Sequence, residues 1–433
     1  MSDDKPQSEA GFFCPAYVGV RCLLLLCVIE GHYWAEHFPD TRVGTLSLSV
    51  PWFFALSGFL ISHTLFAYES LAPGKALSIF YVRRALRIFP AYFLVLAIAH
   101  LTRGVPYVGW DLTYLLNFKI YLLSSSNNLA DFMTFLQYRD FNAIHFWSVC
   151  VEEQFYLVYP WLVFGTSRRW RTTLLSAAIV GSIACRLYLL RTSGGMACYG
   201  GLPFIAGEYI LWGCLVAWMD YRNRWRWLRD PIILYVSLCV FFYLSWHDDS
   251  FRRWAQFRPP AHQTVYCVLI AVTIASLRHN NQSYLNLALA WKPLRWVGTM
   301  SYGAYLLHSF LNPTLDQLLE TFPFLVLFPQ CPRAVLGPVL TVGVASLLWY
   351  GFEKPIQGWR QRWRTRESID DRGISDGELH DGDNLQQETE QNHPMKSSRR
   401  EPVLSCAEQG EEDQHQAMLR DKKGVPERQD QGQ

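Results

Sequence analysis

The sequence contains no CxxC pair, although it has 11 cysteines. Paired cysteines at that spacing are common zinc ligands, so their absence argues against a zinc site, and we expect no metal. The N-terminus MSDDKPQSEAGFF is acidic and lacks an apolar run with a small-residue cleavage site, which argues against a secretory signal. No repeat with a period of about 20–50 residues is evident, which argues against a solenoid. The first long apolar segment is therefore expected to remain in a membrane.

Charge is unevenly divided along the chain. Residues 361–433 hold 17 acids and 11 bases, whereas the preceding 360 residues hold 20 acids and 28 bases, which leaves the whole chain at +2. The C-terminal part has almost no apolar clusters, a composition typical of disordered segments. The sequence therefore predicts an N-terminal tail at 1–16, a transmembrane domain at 17–352 and a hydrophilic, disordered tail at 353–433.

The apolar segments predict an all-α polytopic membrane protein, because a span needs about 20 mostly apolar residues. Ten segments qualify: 20–36, 49–68, 85–102, 147–165, 172–190, 203–219, 231–247, 264–278, 297–317 and 335–352. The segment 112–123 is too short to span and contains Lys119, so we interpret it as interfacial or re-entrant.

Basic residues fix the expected orientation in the membrane. With the N-terminus in the cytoplasm, the inner loops include RRALR (83–87), SRRWR (167–171), RNRWRWLR (222–229) and KPLR (292–295). This asymmetry follows the positive-inside rule and predicts that both termini are cytoplasmic, in a plasma or cytoplasmic membrane. Cys198 and Cys331 both fall in predicted outer loops, where a disulfide between them is an open alternative.

Several polar residues lie at matching depths in these spans. Arg21 and His32 are eleven residues apart, so they share one helix face about 16 Å apart along the axis. Ser148 and Glu152 share a face of the fourth span, and His308 lies in the ninth. These positions predict a histidine–carboxylate group of His32, Glu152 and His308 in the outer half of the bundle.

A second expected group lies at the inner face. Arg21, Arg84 and Arg87 are placed to form a cationic patch, and guanidinium groups match the oxygens of phosphate. Together the two groups suit a long anionic donor whose reactive end reaches into the bundle. A histidine near such a donor can take a proton from an attacking hydroxyl.

Five stretches of the chain resemble one known family. GVRCLLLLCVIEGHY, WFFALSGFLIS, FYVRRALRIFPAYF, HFWSVCVEEQFYLVYP and SYGAYLLHSF occur in the order of the corresponding segments in the acyltransferase family 3 membrane proteins. Two positions depart from the family pattern: Val18 replaces an acid before the first-span arginine, and Val149 replaces the leucine of the WSL motif. The likeness covers roughly residues 17–352.

The resemblance implies ten transmembrane helices, a cytoplasmic acyl-CoA donor, in most cases acetyl-CoA, and transfer of the acyl group to a hydroxyl. It implies that His32 is the base, that Arg84 and Arg87 bind the donor with support from Arg21, and that Glu152 is the acid of the fourth-span motif. The substrate-binding or supporting residues are expected to be Trp147, Ser148, Tyr302 and His308.

The sequence therefore predicts a membrane acyltransferase that modifies a carbohydrate or glycan precursor, with no nucleic-acid partner. The alternative is a transporter or exporter that uses the same buried charges as a proton relay. Two simpler interpretations also stay open: RRALR as a topology anchor only, and His308 as a packing residue. The oligomeric state is not predicted.

Overall fold

The structure is a computed structural model, which describes residues 14–33, 49–125, 143–192, 201–247, 263–322 and 332–358. Within those ranges every regular element is helical and no strand occurs, which confirms the predicted all-α class. The alternative of a disulfide between Cys198 and Cys331 falls outside the described residues.

The helices are labelled here in chain order. The N-terminal half contains α1 (Pro15–Tyr33), α2 (Ser49–Ala67), α3 (Pro73–Arg103), α4 (Val108–Leu112), α5 (Leu116–Ser125), α6 (Trp147–Gly165) and α7 (Arg168–Thr192). The C-terminal half contains α8 (Pro203–Tyr221), α9 (Pro231–His247), α10 (Gln263–His279), α11 (Tyr284–Leu289), α12 (Lys292–Thr299), α13 (Ser301–Leu307), α14 (Asn312–Thr321) and α15 (Pro332–Leu348). Short 3-10 turns lie at Ile144–Phe146, Arg226–Arg229 and His308–Leu311.

Within the described ranges, five helical stretches are long and apolar enough to cross a membrane. They are Pro15–Tyr33, Ser49–Ala67, Pro73–Arg103, Arg168–Leu189 and Arg333–Gly358. The apolar helices α9 and α10 are shorter, and α6 and α8, with 19 residues each, occupy the fourth and sixth predicted spans. The chain is thus a helical membrane protein, and the complete set of ten spans stays a prediction.

The ninth predicted span is not one continuous helix. It is divided into α12, α13, the turn His308–Leu311 and α14. Pro313 stands in the first turn of α14, where its missing N–H group is tolerated but where it cannot extend a preceding helix. The break places His308 in a tight turn at the end of α13, which decides where its ring points.

Helix α3 corrects the expected position of the RRALR stretch. Arg83–Arg87 was predicted to lie in an inner loop, but it lies within a continuous helix of 31 residues. Such a helix is about 46 Å long, whereas the hydrocarbon core is about 30 Å thick. The segment before Pro90 therefore carries its arginines on helical faces, and each guanidinium has a defined direction.

Ion pairs show which helix ends lie at the same end of the helical bundle. Glu69, just after α2, pairs with Arg168 at the start of α7 at 2.5 Å. Asp220, near the end of α8, contacts His63 of α2 at 3.4 Å and His279 of α10 at 2.6 Å. Arg168 belongs to the predicted inner loop 167–171, so these contacts group the ends of α2, α8 and α10 with that loop.

The opposite ends are joined in the same way. Glu208 of α8 is fully buried, pairs with Arg186 of α7 and accepts a hydrogen bond from Thr264 of α10 at 2.6 Å. Asp316 of α14 pairs with Arg333 of α15. Both groups belong to the predicted outer half, where an unpaired charge among apolar helices would be costly.

Two glycines set the distance between α2 and α8. A methyl group at Gly58 would lie 2.1 Å from the Ile210 carbonyl oxygen, and one at Gly213 would lie 2.1 Å from the Ala55 carbonyl oxygen. The two backbones are therefore in direct contact, as is usual where small residues meet between membrane helices. This contact brings Ser57, next to Gly58, to a fixed position in the centre of the bundle.

The last described helix continues beyond α15. A π-helical stretch at Trp349–Glu353 follows α15, and the helix continues to Gly358, the last described residue. The remainder of the predicted hydrophilic tail lies outside the described residues.

Candidate functional site

A cavity of about 580 Å³ lies between the N-terminal half of α1, the middle of α3, α12, α13 and the end of the last helix. Four cationic residues line it: Arg21, Arg87, Lys292 and Arg295. Glu353 is the single acidic residue among the described residues that line it. The cavity therefore has the charge expected of an anion-binding site.

Glycines bring the walls of this cavity together. A methyl group at Gly298 of α12 would lie 1.9 Å from the Val18 carbonyl oxygen, and one at Gly19 would lie 1.8 Å from the Leu289 carbonyl oxygen. The start of α1 is thus in backbone contact with both α11 and α12. This contact holds Arg21 opposite the basic residues of α12.

Glu152 lies beside the arginines predicted to bind the donor. Its carboxylate is hydrogen-bonded to Ser57 and interacts electrostatically with Arg84, Arg21 and Arg87. Arg84 does not line the cavity; its guanidinium lies over the ring of Tyr156 at 4.2 Å. All three arginines predicted to form a patch therefore interact with the same carboxylate.

The histidines form a separate cluster towards the other end of α1. The ring centroids of His32 and His308 are 4.8 Å apart, and those of His308 and His145 are also 4.8 Å apart. Both His308 and His145 are buried, at 0% and 4% exposure, whereas His32 is half-buried. The predicted pair of His32 and His308 is thus observed, with His145 as a third member.

Hydrogen bonds fix the tautomers of two of these rings. Nδ1 of His308 donates to the Tyr305 carbonyl oxygen at 2.6 Å, and Nε2 of His145 donates to the Leu306 carbonyl oxygen at 3.1 Å. Nε2 of His308 and Nδ1 of His145 have no hydrogen-bond partner in the described part of the chain. A neutral imidazole that donates through one nitrogen keeps a lone pair on the other. Each ring therefore presents a bare acceptor nitrogen inside the cluster.

Tyr305 connects the histidines to α6. Its hydroxyl lies 2.6 Å from Ser148 Oγ and donates to the His145 carbonyl oxygen at 2.9 Å. Glu152 is one helical turn beyond Ser148 on the same face of α6. Tyr305 thus links the histidine cluster to the face of α6 that carries Glu152.

The predicted group of His32, Glu152 and His308 stays a prediction as a whole, although His32 and His308 are in ring contact. The described interactions of Glu152 are with Ser57 and the arginines. Helical spacing places Glu152 on the same face of α6 as Ser148, but it does not show which neighbouring helix that face meets.

The other predicted support residues have different positions. Tyr302 lines the cavity and donates a hydrogen bond to the Ile88 carbonyl oxygen at 3.2 Å. Trp147 is packed edge-on against Phe54, with Gly201 against its indole. Tyr302 thus belongs to the cavity, whereas Trp147 packs between helices.

Sequence reasoning missed four residues of the site: His145, Lys292, Arg295 and Glu353. His145 precedes the fourth span by two residues. Because it lies outside the predicted helix, helical periodicity could not show which way its side chain points. Lys292 and Arg295 belong to KPLR, which was assigned only to an inner loop. Their i, i+3 spacing at the start of a helix was the signal available. Within the described ranges, no group of three or more His, Cys, Asp or Glu side chains is arranged to hold a metal ion.

These features define a helical membrane protein with a cationic cavity and a buried histidine cluster. The family model described as "Acyltransferase domain" matches residues 17–350, so the chain belongs to this acyltransferase family. The resemblance identified from the five sequence stretches is therefore confirmed.

Curated relatives cover most of the matched region. The YrhL protein of Bacillus subtilis, named provisionally as a peptidoglycan O-acetyltransferase, is 28% identical over 372 residues, 80% of this chain and 56% of the relative. The peptidoglycan O-acetyltransferase OatA of Listeria monocytogenes is 26% identical over 368 residues, with the same two coverages. Nodulation protein 10 of Rhizobium leguminosarum bv. viciae is 32% identical over 178 residues, 36% of this chain and 46% of the relative.

The chain spans about half the length of the relatives that it matches over most of its own length, 56% in both cases. No solved structure matches the chain.

Proposed function

We propose that this protein is an integral membrane O-acyltransferase that moves an acyl group, in the expected case acetyl, from acyl-CoA to a hydroxyl of a carbohydrate. Family membership and the names of the two relatives with the broadest coverage support acyl transfer to a glycan. The single observation that carries the proposal is the arrangement along α1. A cationic cavity lies at one end of this helix, and a cluster of imidazoles lies about 16 Å away at the other.

The donor occupies the cationic cavity. Arg87 and Arg21 line it and bind the phosphates of acyl-CoA, since guanidinium groups offer paired donors to phosphate oxygens. Arg84 acts on the same site through Glu152, with its own position fixed over the ring of Tyr156. The concentration of bases at this face makes it the cytoplasmic one under the positive-inside rule, where acyl-CoA is available.

The thioester reaches into the bundle towards the histidines. The acceptor hydroxyl oxygen attacks the thioester carbonyl carbon while His32 takes the hydroxyl proton as general base. The carbon–sulfur bond breaks, an ester forms, and the CoA thiolate leaves and regains a proton from His32. His308, in ring contact with His32, supports the orientation of the base.

Glu152 holds the donor site together from the protein side. The charge of Glu152 lowers the mutual repulsion of the three arginines with which it interacts. Along the face of α6 that it shares with Ser148, it also acts on Tyr305, which contacts Ser148 beside the histidine cluster. Both effects require the charge of Glu152. Glutamine has a side chain of similar length but no charge, so Glu152→Gln tests the charge alone.

The wider arrangement belongs to the same proposal. Ten spans, cytoplasmic termini and a transmembrane domain at 17–352 with a hydrophilic tail at 353–433 would put the acceptor on the outer side. There the acceptor is a glycan or a glycan precursor, as the relatives' names indicate for those proteins.

Measuring the release of CoA distinguishes this proposal from the transporter alternative. Purified full-length protein in proteoliposomes is supplied with acetyl-CoA and peptidoglycan fragments, and free thiol and acetylated glycan are measured together. We expect acceptor-dependent thiol release, and we expect it to be lost in His32→Ala. His247→Ala is the matched control, because His247 is an exposed histidine at the end of the apolar helix α9. Transport of the glycan without thiol release or acetylation would favour the transporter and overturn the acyltransferase.

A further inference from the structure

One face of α12 has no role in the reaction described above. Lys292, Arg295, Trp296 and Thr299 all line the cavity, and their spacing of i, i+3, i+4 and i+7 is that of a single helix face. A helix that only anchored the membrane topology would need bases near the interface but no such alignment. The alignment indicates that this face is built to meet a ligand.

The indole of Trp296 lies at the cavity in a fixed orientation. Its Nε1 donates a hydrogen bond to the Tyr350 hydroxyl at 2.9 Å, which fixes the orientation of the ring. The side chain is still 47% exposed. A fixed indole with a free face beside two cations suits the stacking of a flat aromatic group, and nucleobases stack well on such rings.

Glu353 provides an independent sign of a ligand. It lines the cavity, is only 6% exposed, and its Oε1 has no hydrogen-bond partner in the described part of the protein. It stands in the π-helical stretch Trp349–Glu353, and π-helical turns are frequent at functional sites. A buried carboxylate oxygen without a donor is costly, so its partner is expected to be an N–H or O–H group of a bound molecule.

The charges of the cavity fit a polyphosphate. Arg21, Arg87, Lys292 and Arg295 supply four positive charges against the one negative charge of Glu353. A 3′-phosphorylated adenosine diphosphate carries about three to four negative charges at neutral pH. It also has a flat base for Trp296 and amino or hydroxyl donors for Glu353. A phospholipid headgroup or inorganic phosphate has no aromatic ring for the indole.

We propose that the face of α12 binds the 3′-phosphoadenosine diphosphate end of a coenzyme A thioester, on the wall of the cavity opposite Arg21 and Arg87 and together with them. Lys292 and Arg295 bind the phosphates, Trp296 stacks on the adenine, and Glu353 accepts a hydrogen bond from the nucleotide. This inference rests on the proposed function, because it takes acyl-CoA as the donor and states which part of that molecule α12 binds.

The first test needs no variant. Binding of CoA, dephospho-CoA, inorganic phosphate and pantetheine to the full-length protein in nanodiscs is measured by isothermal titration. We expect CoA to bind most tightly, dephospho-CoA at least about tenfold more weakly and pantetheine weaker still, because each lost phosphate removes charge-assisted hydrogen bonds. Equal affinity for CoA and dephospho-CoA, or displacement of CoA by equimolar inorganic phosphate, would overturn the assignment.

The second test uses the double variant Lys292→Gln with Arg295→Gln. Its matched control is Arg224→Gln, which removes an exposed base from another predicted inner loop. We expect the double variant to lose at least about tenfold in CoA affinity and the control to bind normally. Trp296→Ala should also weaken CoA binding, whereas Trp291→Ala, at an exposed tryptophan outside the cavity, should not. A double variant that keeps its thermal midpoint and binds CoA within twofold of the wild type would refute the inference.

Failure of this inference differs from failure of the proposed function. Suppose that the wild-type protein transfers acetyl from acetyl-CoA and that the double variant does so at the same rate at limiting donor. The proposed function would then hold, and the α12 subsite would be refuted. If the wild-type protein neither binds CoA nor releases it from acetyl-CoA, the proposal that acyl-CoA is the donor would itself be refuted.

Discussion

The rings of His32 and His308 lie 4.8 Å apart between their centroids, at an interplanar angle of 58°. His308 is fully buried in the turn after α13, and the Tyr33 hydroxyl donates to its carbonyl oxygen at 2.9 Å. The neighbour of His32 on α1 therefore helps to fix the ring that His32 contacts. This relationship joins two histidines that are far apart in sequence, and it makes His308 a positioning residue for the proposed base.

His308 and His32 should have different effects on the reaction. We expect His32→Gln to reduce kcat by about 10²–10⁴-fold, the usual contribution of a general base. His308→Gln, which keeps a hydrogen-bonding side chain of similar reach, should lower kcat less and shift the pH dependence of kcat. Steady-state rates of thiol release between pH 5.5 and 8.5 measure both effects. An unchanged pH profile with a lowered thermal midpoint in His308→Gln would show that His308 only supports the fold.

The adjacent acids of α6 provide a matched pair. Glu152 is hydrogen-bonded to Ser57 and interacts electrostatically with three arginines, whereas Oε1 of Glu153 has no hydrogen-bond partner in the described part of the chain. We expect Glu152→Gln to reduce kcat/KM by about 10²-fold, because the arginines lose their shared counter-charge. Glu153→Gln should stay within a few fold of the wild type. Equal losses in the two variants would contradict the assigned role of Glu152.

Neighbouring arginines of α3 should also differ. Arg87 lines the cavity, whereas Arg83 lies over the ring of Tyr68 at 5.4 Å. We expect Arg87→Gln to raise the KM for acetyl-CoA by about tenfold, since it removes a charged contact to phosphate. Arg83→Gln should leave that KM unchanged. If both variants behave alike, the arginines act as a topology anchor and not as donor ligands.

The contact between α2 and α8 predicts a stability effect. Gly213→Ala places a methyl group 2.1 Å from the Ala55 carbonyl oxygen, so the helices must separate. We expect a loss of about 1–3 kcal/mol, the usual cost of overpacking, visible as a lower thermal midpoint in detergent. The control is Gly181→Ala in α7, where a methyl group meets nothing within 4 Å. No difference between the two variants would mean that α2 and α8 are farther apart than described.

Asp111 should make stability depend on pH. This residue lies in the short helix α4, outside the spans, and is fully buried with no hydrogen-bond partner for either carboxylate oxygen in the described part of the chain. Burial raises the pKa of its carboxyl to about 8, well above that of an exposed aspartate. The folded state therefore keeps a proton that the unfolded state has released between about pH 4 and pH 8.

The sign of this effect follows from the raised pKa. Stability contributed by the protonated Asp111 is complete below about pH 4 and falls as pH rises towards 8, by at most about 1.4 kcal/mol per pH unit. Asp111→Asn should flatten that dependence. The thermal midpoint of both proteins at pH 5, 6, 7 and 8 measures the difference. A wild-type midpoint that rises relative to the variant over this range would contradict the assignment.

The sequence by itself determined the apolar helices, their alternating directions and the shared face of Arg21 and His32. These features depend on local composition and on the 3.6-residue period, which a single chain displays directly. The same information pointed to the family, which the family model confirms. The roles that it gives to His32, Glu152, Arg21, Arg84 and Arg87 stay predictions.

Tertiary structure alone decided which faces meet. The sequence did not show that Glu152 lies among arginines, that His145 is third in the histidine row, or that α12 closes the cavity. Those contacts depend on close helix approaches such as Gly19 against Leu289, and on the break before His308. Such contacts join residues that are hundreds of positions apart, so the periodicity of one helix gives no sign of them.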